Sequence, residues 1–386
     1  MIAKTYSKYT SQAIDFAQAL QDVFALLKPY KGKVFKMTAF VNAENVSDYI
    51  DKQNRLSGAI KYCFGDQCPT WSMVSEPPYK STFCVVLQCS EAAKTYVDFR
   101  GLPIVILEQD KEKEFWISGL SSLNVDMHIS ANTVFETLSA VLKEHDLEYD
   151  DIVRQWNYIG EILKTETKDG LCIQNYQVFN DIRNDYYYHN KRKTDFPAAT
   201  GIGMKTQGLV VDVFAQKSSG KVKSLPLRSQ IQKDPFAYSE TVLVGCKTDK
   251  KPPLFERARL LYSENRAQIF VSGTASINNQ ETVAIGNVSA QTNNTIRYIK
   301  ELVSSENIQK NYSQIALKNQ TYQQVCVYVK HRNDLEIVRK ICFIHFPEQV
   351  INIVEADICR DNLLVEIEAD VFAQTKFRQC INKIYI

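Results

Sequence analysis

The stretch Phe270-Val-Ser-Gly-Thr-Ala-Ser-Ile277 is an apolar strand end that runs into Ser-Gly, and Gln291-Thr292 opens a helix soon after it. A weaker copy stands upstream. There Phe115-Trp-Ile-Ser-Gly-Leu-Ser-Ser122 precedes an amphipathic helix predicted over 131–144. A strand–turn–helix unit that recurs at long spacing implies duplication, and duplication restricts the chain to an array of one repeated module. At 386 residues the chain also exceeds the usual size of a single core, so two or more cores are expected.

Apolar periodicity gives the same order of elements three times. The third copy reads as strand 268–272, helix 292–304, strand 324–330, helix 333–343, and strands 350–356 and 363–372. The second reads as strand 114–118, helix 131–144, strand 152–159, helix 174–188 and strand 209–215. The first lacks an opening Ser-Gly strand and reads as helix 13–27, strand 34–41, helix 46–64 and strand 81–89. The helices rest on apolar residues three and four apart, such as Ala13, Ala17, Leu20, Phe24 and Leu27. The strands rest on β-branched and aromatic enrichment with alternation, as at Val325, Val327 and Val329. Residues 216–251, rich in Ser, Lys, Gly and Pro, read as a linker between copies two and three.

Each unit is then a β–α–β–α–β–β layer, a mixed sheet with two helices on one face. The bare face needs a partner, and three such units can bury theirs on one another around a common axis. The expected fold class is α+β, an intrachain pseudo-trimer with pockets at the seams. Unit boundaries are expected at 1–110, 111–220 and 221–386. The last range holds the linker and the unit carrying most of the site, and a monomer with pseudo-threefold symmetry is expected.

The 46 basic and 44 acidic residues nearly cancel, to a formal charge of +2, so no basic field attracts nucleic acid. The short basic loop Tyr187-Tyr-His-Asn-Lys-Arg-Lys193 reads as solvated surface. No apolar run approaches the roughly 20 residues that span a bilayer, and Met1–Thr10 has no signal-peptide core, so a cytoplasmic protein is expected. The cysteines fall singly in apolar segments, where they act as small hydrophobes. Cys63 and Cys68 lack a second ligand pair, so no metal is expected.

Ile117-Ser-Gly119, Leu138-Ser-Ala-Val-Leu142, Val271-Ser-Gly273, Gln291-Thr292 and Val365-Glu-Ile-Glu-Ala369 together resemble the YjgF/RidA family. That likeness implies tandem YjgF/RidA-like (chorismate-mutase-like) units with ligand pockets between them. From about Asp151 onward the chain resembles the chorismatases more closely. The residues are Arg154-Gln-Trp-Asn-Tyr-Ile159, Tyr176-Gln-Val-Phe-Asn180 with Arg183, Phe196-Pro-Ala-Ala-Thr-Gly-Ile-Gly203, Phe255-Glu-Arg-Ala258, Phe270–Ile277 with Glu281, and the block from Ala356 to Ala369. The resemblance implies cleavage of the enolpyruvyl ether of chorismate to pyruvate and a dihydroxycyclohexadiene carboxylate or hydroxybenzoate. An RidA-like enamine or imine deaminase and a non-catalytic RidA-type ligand-binding protein are the alternatives.

Opening the ether requires a proton on the terminal methylene carbon, hence one positioned acid of raised pKa, two cationic clamps, and neither metal nor redox cofactor. By itself the polar loop ending at Glu281 reads as solvated surface; the flanking blocks make Glu281 the candidate acid. Arg257 and Arg360 are the first choices for the carboxylates, because a planar guanidinium grips both oxygens at once. Arg183 is a third clamp or a structural partner of a nearby acid such as Asp185. Arg154 is expected to support its strand, and one of Glu366 and Glu368 to orient Arg360. Tyr176 and Tyr187 line the pocket or pack as ordinary aromatics. Gly201, in Thr200-Gly-Ile-Gly203, allows close approach of backbone amides to an anion. Thr274 and Ala275, with Gly201, are expected to set the product.

Overall fold

In the computed structural model, which describes residues 1–168, 171–190, 195–242 and 250–377, the strands gather mainly into three larger sheets. The first holds β1 (Thr5–Ser11), β2 (Val34–Val41), β3 (Thr70–Val74) and β4 (Phe83–Cys89) in the order β1-β4-β2-β3. Helices α1 (Phe16–Leu27) and α2 (Val46–Phe64) belong to it. The second holds β5 (Ala93–Phe99), β6 (Leu102–Gln109), β7 (Glu112–Ser122) and β8 (Ile152–Gly160). A hairpin, β9 (Thr165–Lys168) and β10 (Leu171–Gln174), stands apart, and β11 (Ala198–Met204) and β12 (Leu209–Lys217) complete the second sheet. Its order is β11-β8-β12-β7-β6-β5, and its helices are α3 (Met127–Glu144) and α4 (Asn175–Asn190). The third contains β13 (Lys223–Leu227), β14 (Ala258–Tyr262) and β15 (Ala267–Ala275), after which β16 (Ile277–Asn278) and β17 (Glu281–Thr282) form a small hairpin. It continues with α5 (Val288–Leu302), α6 (Ser305–Asn311), β18 (Ile315–Val329), α7 (Leu335–His345), β19 (Ile351–Glu355) and β20 (Val365–Phe377). Its order is β13-β14-β15-β20-β18-β19.

One connectivity recurs in all three. A strand, a helix, a strand, a helix and two strands follow in β1–β4, in β7–β12 and in β15–β20. Each time the last strand inserts antiparallel between the first and second, and the third pairs parallel with the second. The helices start at side-chain caps: Asp15 accepts from the Gln18 amide, Asn45 from Asp48 and Asp126 from His128 and Ile129. Helix α2 ends at Gly65, whose φ of +57° suits a residue without Cβ.

On its helix side each sheet has its own apolar core. Leu20, Val23 and Leu56 fill the first, Val134, Leu138 and Phe179 the second, and Ile296, Ile299 and Val338 the third. The opposite faces converge on one shared core that includes Phe35, Phe40, Trp116, Phe214, Phe270 and Tyr328. Trp116 stacks on Phe214 at 4.4 Å, while Phe35 lies 4.8 Å from Trp116 and Phe270 5.4 Å from Phe214. Aromatic contacts thus run across all three sheets. Both faces of β2 and β8 are covered, every residue of each being buried, polar side chains such as Lys36, Arg154 and Asn157 included.

The expected α+β class is the one observed, with three differences. The first copy has its opening strand: β1, pairing with β4, was hidden by the polar composition of Thr5–Ser11. The boundary expected at 110 cuts a hairpin, because β5 and β6 pair with each other and then with β7 of the second sheet. The expected linker 216–251 contributes β13 to the third sheet and two short helical turns, Pro235–Ala237 and Glu240–Val242. Its residues 243–249, like Lys191, Arg192 and Lys193 of the basic loop, lie outside the described residues. Among the described residues no helix is long and apolar enough to cross a membrane.

Candidate active site

The seam between the second and third sheets holds a cavity that opens to solvent. Gly201 of β11 and Gly273 and Ala275 of β15 line its floor, and Glu366 of β20 lines its wall. Tyr176, at the start of α4, and Arg257, Cys359 and Arg360, from the segments before β14 and β20, also line it, together with Tyr238, Gln174 and Gln177.

The two arginines converge. Arg257, 2% exposed, donates from Nη2 to the Lys233 carbonyl at 2.8 Å and to the Tyr238 hydroxyl. Arg360 donates from Nη1 to the Gln280 carbonyl at 2.8 Å. Their guanidinium carbons lie 5.7 and 5.4 Å from the ring of Tyr238, so both cations bear on one aromatic side chain inside one cavity. No carboxylate is hydrogen-bonded to either among the described residues, which leaves their charge available to an anion.

Glu366 and Glu368 alternate on β20 and face the same way, but their partners differ. Glu368 accepts from Arg154 Nη2 at 2.7 Å, from Trp156 Nε1 at 3.1 Å and from the Thr200 hydroxyl at 2.5 Å. Glu366 faces the cavity. Burial, then the neighbouring Glu368 charge, pushes its carboxyl up to about 8, against weaker pulls from Arg257 and Arg154. It is therefore a neutral acid at pH 7. Gly273 makes room for it: a Cβ built there would collide with Glu366 Oε1 and lie 2.9 Å from its Cδ. Burial, with a further push from Glu366, raises the Cys359 thiol to about 12, so it stays protonated.

Of the residues singled out in the sequence, Arg257, Arg360, Tyr176, Gly201 and Ala275 meet in this cavity. Glu281 does not. It is exposed on the β16–β17 hairpin, beside Gln280, outside the cavity lining. Glu281→Gln is accordingly expected to leave catalytic turnover within about twofold, as for an ordinary surface substitution; a loss of a hundredfold would return Glu281 to the mechanism. Arg183 is buried along α4, donating to Asn180 at 2.9 Å and packing over Phe179, while Asp185 pairs with Lys251. Tyr187 is buried and donates to Gln155 at 2.7 Å, and the Thr274 hydroxyl donates to the Ser272 carbonyl at 2.9 Å. None of these three lines the cavity. Arg154 is tied to Thr200 of β11 and Glu368 of β20, and among the described residues neither Glu366 nor Glu368 is hydrogen-bonded to Arg360, which donates to the Gln280 carbonyl.

The seam between the first and second sheets repeats the plan with one change. Each site has a bulge in the pairing of the first and last strands, opposite Asp212 in one and beside Ser272-Gly273 in the other. Strand register then matches Asp212 with Glu368, Lys36 with Arg154 and Ser72 with Thr200. Asp212 pairs with Lys36 at 2.8 Å and accepts from Ser72 at 2.8 Å and from the Gly119 amide at 2.9 Å. The buried ion pair is common to both seams. The position of Glu366 is taken by Val210, so the first seam has no acid there.

A family model described as "Chorismatase FkbO/Hyg5-like, N-terminal" matches residues 103–215. A "3-hydroxybenzoate synthase" of Streptomyces hygroscopicus is 31% identical over 250 residues, 62% of this chain and 67% of that protein. A "Chorismatase" of Streptomyces rapamycinicus is 31% identical over 232 residues, 58% of this chain and 65% of its own length. The matched segments thus span about two thirds of these curated relatives. A chorismatase crystal structure at 1.08 Å resolution superposes with a TM-score of 0.71 over 96% of this chain and 98% of that one, at 19% identity, a likeness of fold.

Proposed function

The chain belongs to the chorismatase family, and from that premise we propose that it cleaves the enolpyruvyl ether of chorismate, with Glu366 as the general acid. The observation that carries this is the meeting in one cavity of two convergent arginines, neither hydrogen-bonded to a carboxylate among the described residues, with a buried carboxyl whose pKa is pushed up. Chorismate brings two carboxylates, an enol ether and a ring hydroxyl. Arg257 and Arg360 take the carboxylates, since a dianion leaves water for an apolar-walled cavity only against matched cations. Gly201 and Gly273 keep the floor flat enough for the ring to approach the backbone.

Protonation by Glu366 of the terminal methylene carbon turns it into a methyl group and leaves an oxocarbenium ion at the ether carbon. The new C–H bond uses the electron pair of the vinyl double bond. Water or the neighbouring ring hydroxyl then adds to the cation. Where water adds, collapse of the hemiketal breaks the bond between the former ether carbon and the ring oxygen, which takes up the proton given by the water, and pyruvate leaves. Where the ring hydroxyl adds, the cyclic ketal frees pyruvate by breaking one bond from its ketal carbon to a ring oxygen and one from its other oxygen to the ring. Loss of a ring proton then gives the hydroxybenzoate. Glu366, left as carboxylate beside Glu368, is a strong base in that setting and regains its proton before the next cycle. Arg154 pairs with Glu368 at 2.7 Å, and Glu368 in turn pushes on Glu366.

Incubating the protein with chorismate, with pyruvate measured by a coupled assay, tests the proposal. Stoichiometric pyruvate is expected, and chromatography of the ring acid in the same sample distinguishes the dihydroxycyclohexadiene from a hydroxybenzoate. Intact chorismate after long incubation, with release of ammonia from an enamine substrate instead, would replace it with the deaminase.

A further inference from the structure

Arg257 and Arg360 reach the cavity from different segments, and a strap laid over its mouth touches both. The strap begins at Gln232, whose Nε2 donates to the Ala275 carbonyl at 3.2 Å and to the Ile277 carbonyl at 2.8 Å. The Lys233 amide donates to the Asn279 carbonyl, and the Asn279 amide to the Ile231 carbonyl, each at 2.9 Å. Past that anchor Pro235 opens the short helical turn Pro235–Ala237, its fixed φ suited to a first helical position. The turn brings Tyr238 to the cavity lining. The Ser239 amide then donates to Gln280 Oε1 at 3.1 Å, and the backbone carbonyl of the same Gln280 holds Arg360. Tyr238 is thus tied down on both sides.

Two like charges in one cavity repel, and a carboxylate between them would be the ordinary remedy. The acid on the strap does not supply it, since Asp234 pairs with Arg228 at 3.4 Å. What both guanidinium groups share is the ring of Tyr238, 5.7 Å from one and 5.4 Å from the other. The negative face of an aromatic ring attracts a cation without occupying its hydrogen-bond donors, as a carboxylate would. Phe255 lies 6.0 Å from Arg257 as well, but among the described residues Tyr238 alone stands beside both. One ring that bounds both distances also bounds how far apart the clamps can stand. The Tyr238 hydroxyl adds direction. It accepts from Arg257 Nη2, while the Lys233 carbonyl accepts from the same nitrogen at 2.8 Å and from Nε at 3.3 Å.

We propose that Tyr238 is a positioning residue that sets specificity: it fixes the separation and direction of the two guanidinium groups and so selects a dicarboxylate over a monocarboxylate of the same shape. The inference rests on the reading of Arg257 and Arg360 as carboxylate clamps. Its physical basis is preorganisation. Two long side chains that must take up one separation before a dianion can meet both lose freedom on binding, and a site that has already set them loses less. A monocarboxylate needs one clamp and gains little from the setting.

Two aromatic acids test this by calorimetric binding to the full chain. One is 3-(carboxymethoxy)benzoate, with a ring carboxylate and a second carboxylate across an ether. The other is 3-methoxybenzoate, which keeps the ring and the ether but has a single carboxylate. The parent is expected to bind the dicarboxylate more tightly. Tyr238→Leu should cut that preference by about tenfold, nearly all of it from weaker binding of the dicarboxylate, while Tyr238→Phe, which keeps the ring, should hold it within about threefold. For chorismate, Tyr238→Leu should raise KM about tenfold and leave kcat within about threefold, the sign of lost binding without lost chemistry. A residue that merely packed at the mouth would weaken both acids alike, so a preference unchanged in Tyr238→Leu overturns the inference and leaves the clamps standing. A parent that binds the two acids equally removes the clamps, and the inference falls with them. Should Tyr238→Leu not fold, Tyr238→Met fills the place of the ring with an adaptable chain and takes the same measurement.

Discussion

Glu366→Gln is expected to lower chorismate turnover by about 10²–10⁴-fold, the usual worth of a general acid, while KM stays within a few fold. Glutamine fills the same volume above Gly273 but has no acidic proton to give. Pyruvate release under saturating chorismate is the measurement, and near-normal turnover would remove Glu366 from the chemistry. The pH profile carries the same signature. The acid form predominates below about 8, so activity should fall through that pH as Glu366 loses its proton, by about tenfold per further unit. A sign for stability follows as well. The folded carboxyl sits at about 8 against an ordinary 4.5, so the folded state binds the extra proton between those values. Its contribution to stability is therefore fully present at low pH and is lost as pH climbs through that window. Glu366→Gln should flatten part of that loss in urea titrations at pH 5 and pH 9.

Arg257→Lys and Arg360→Lys should each raise KM for chorismate by about ten- to a hundredfold, the range for losing one hydrogen bond to a charged group. An ammonium keeps the charge but presents a point donor in place of a planar fork. Arg257 carries an extra risk on substitution, because its guanidinium also ties Lys233 and Tyr238 over the cavity mouth. Arg360 is half-buried and held by a single carbonyl, so its variant reports more cleanly on substrate. Affinity should also fall with added phosphate, which competes for the same pair. If both lysine variants bind chorismate as the parent does, the dicarboxylate clamp is wrong.

Much of the architecture was legible in the sequence, because the repeated helix stripes and the strand before Ser-Gly survive in two copies. What stayed hidden had no apolar signal. Thr5–Ser11 pairs at a sheet edge with a partly exposed, polar surface, and β13 sits in a stretch whose Ser, Lys and Pro content reads as linker. Arg257 and Arg360, singled out because a dianion demands guanidinium groups, line one cavity. The acid proposed from the structure is a different one from that read in the sequence. Glu281 attracted attention by its position after the Ser-Gly turn, yet the turn exposes it. The better clue lay in Val365-Glu-Ile-Glu-Ala369, where two carboxylates point inward from an apolar strand, an expensive arrangement in a protein that does not use it. Tyr238 was out of reach for the opposite reason, being one aromatic in a polar segment.

The two seams share a buried ion pair, but only one has a carboxyl where the other has Val210. In an assembly of identical subunits, any substitution at a seam appears at every seam at once, and each copy bears whatever folding burden it brings. Units joined in one chain are released from that rule. A burdensome acid such as Glu366 can be installed in a single seam while its counterpart stays inert and stabilising. The duplicated chain can therefore tolerate mutations in its working seam that a symmetric ancestor could not, and Val210 marks the seam that meets the cost.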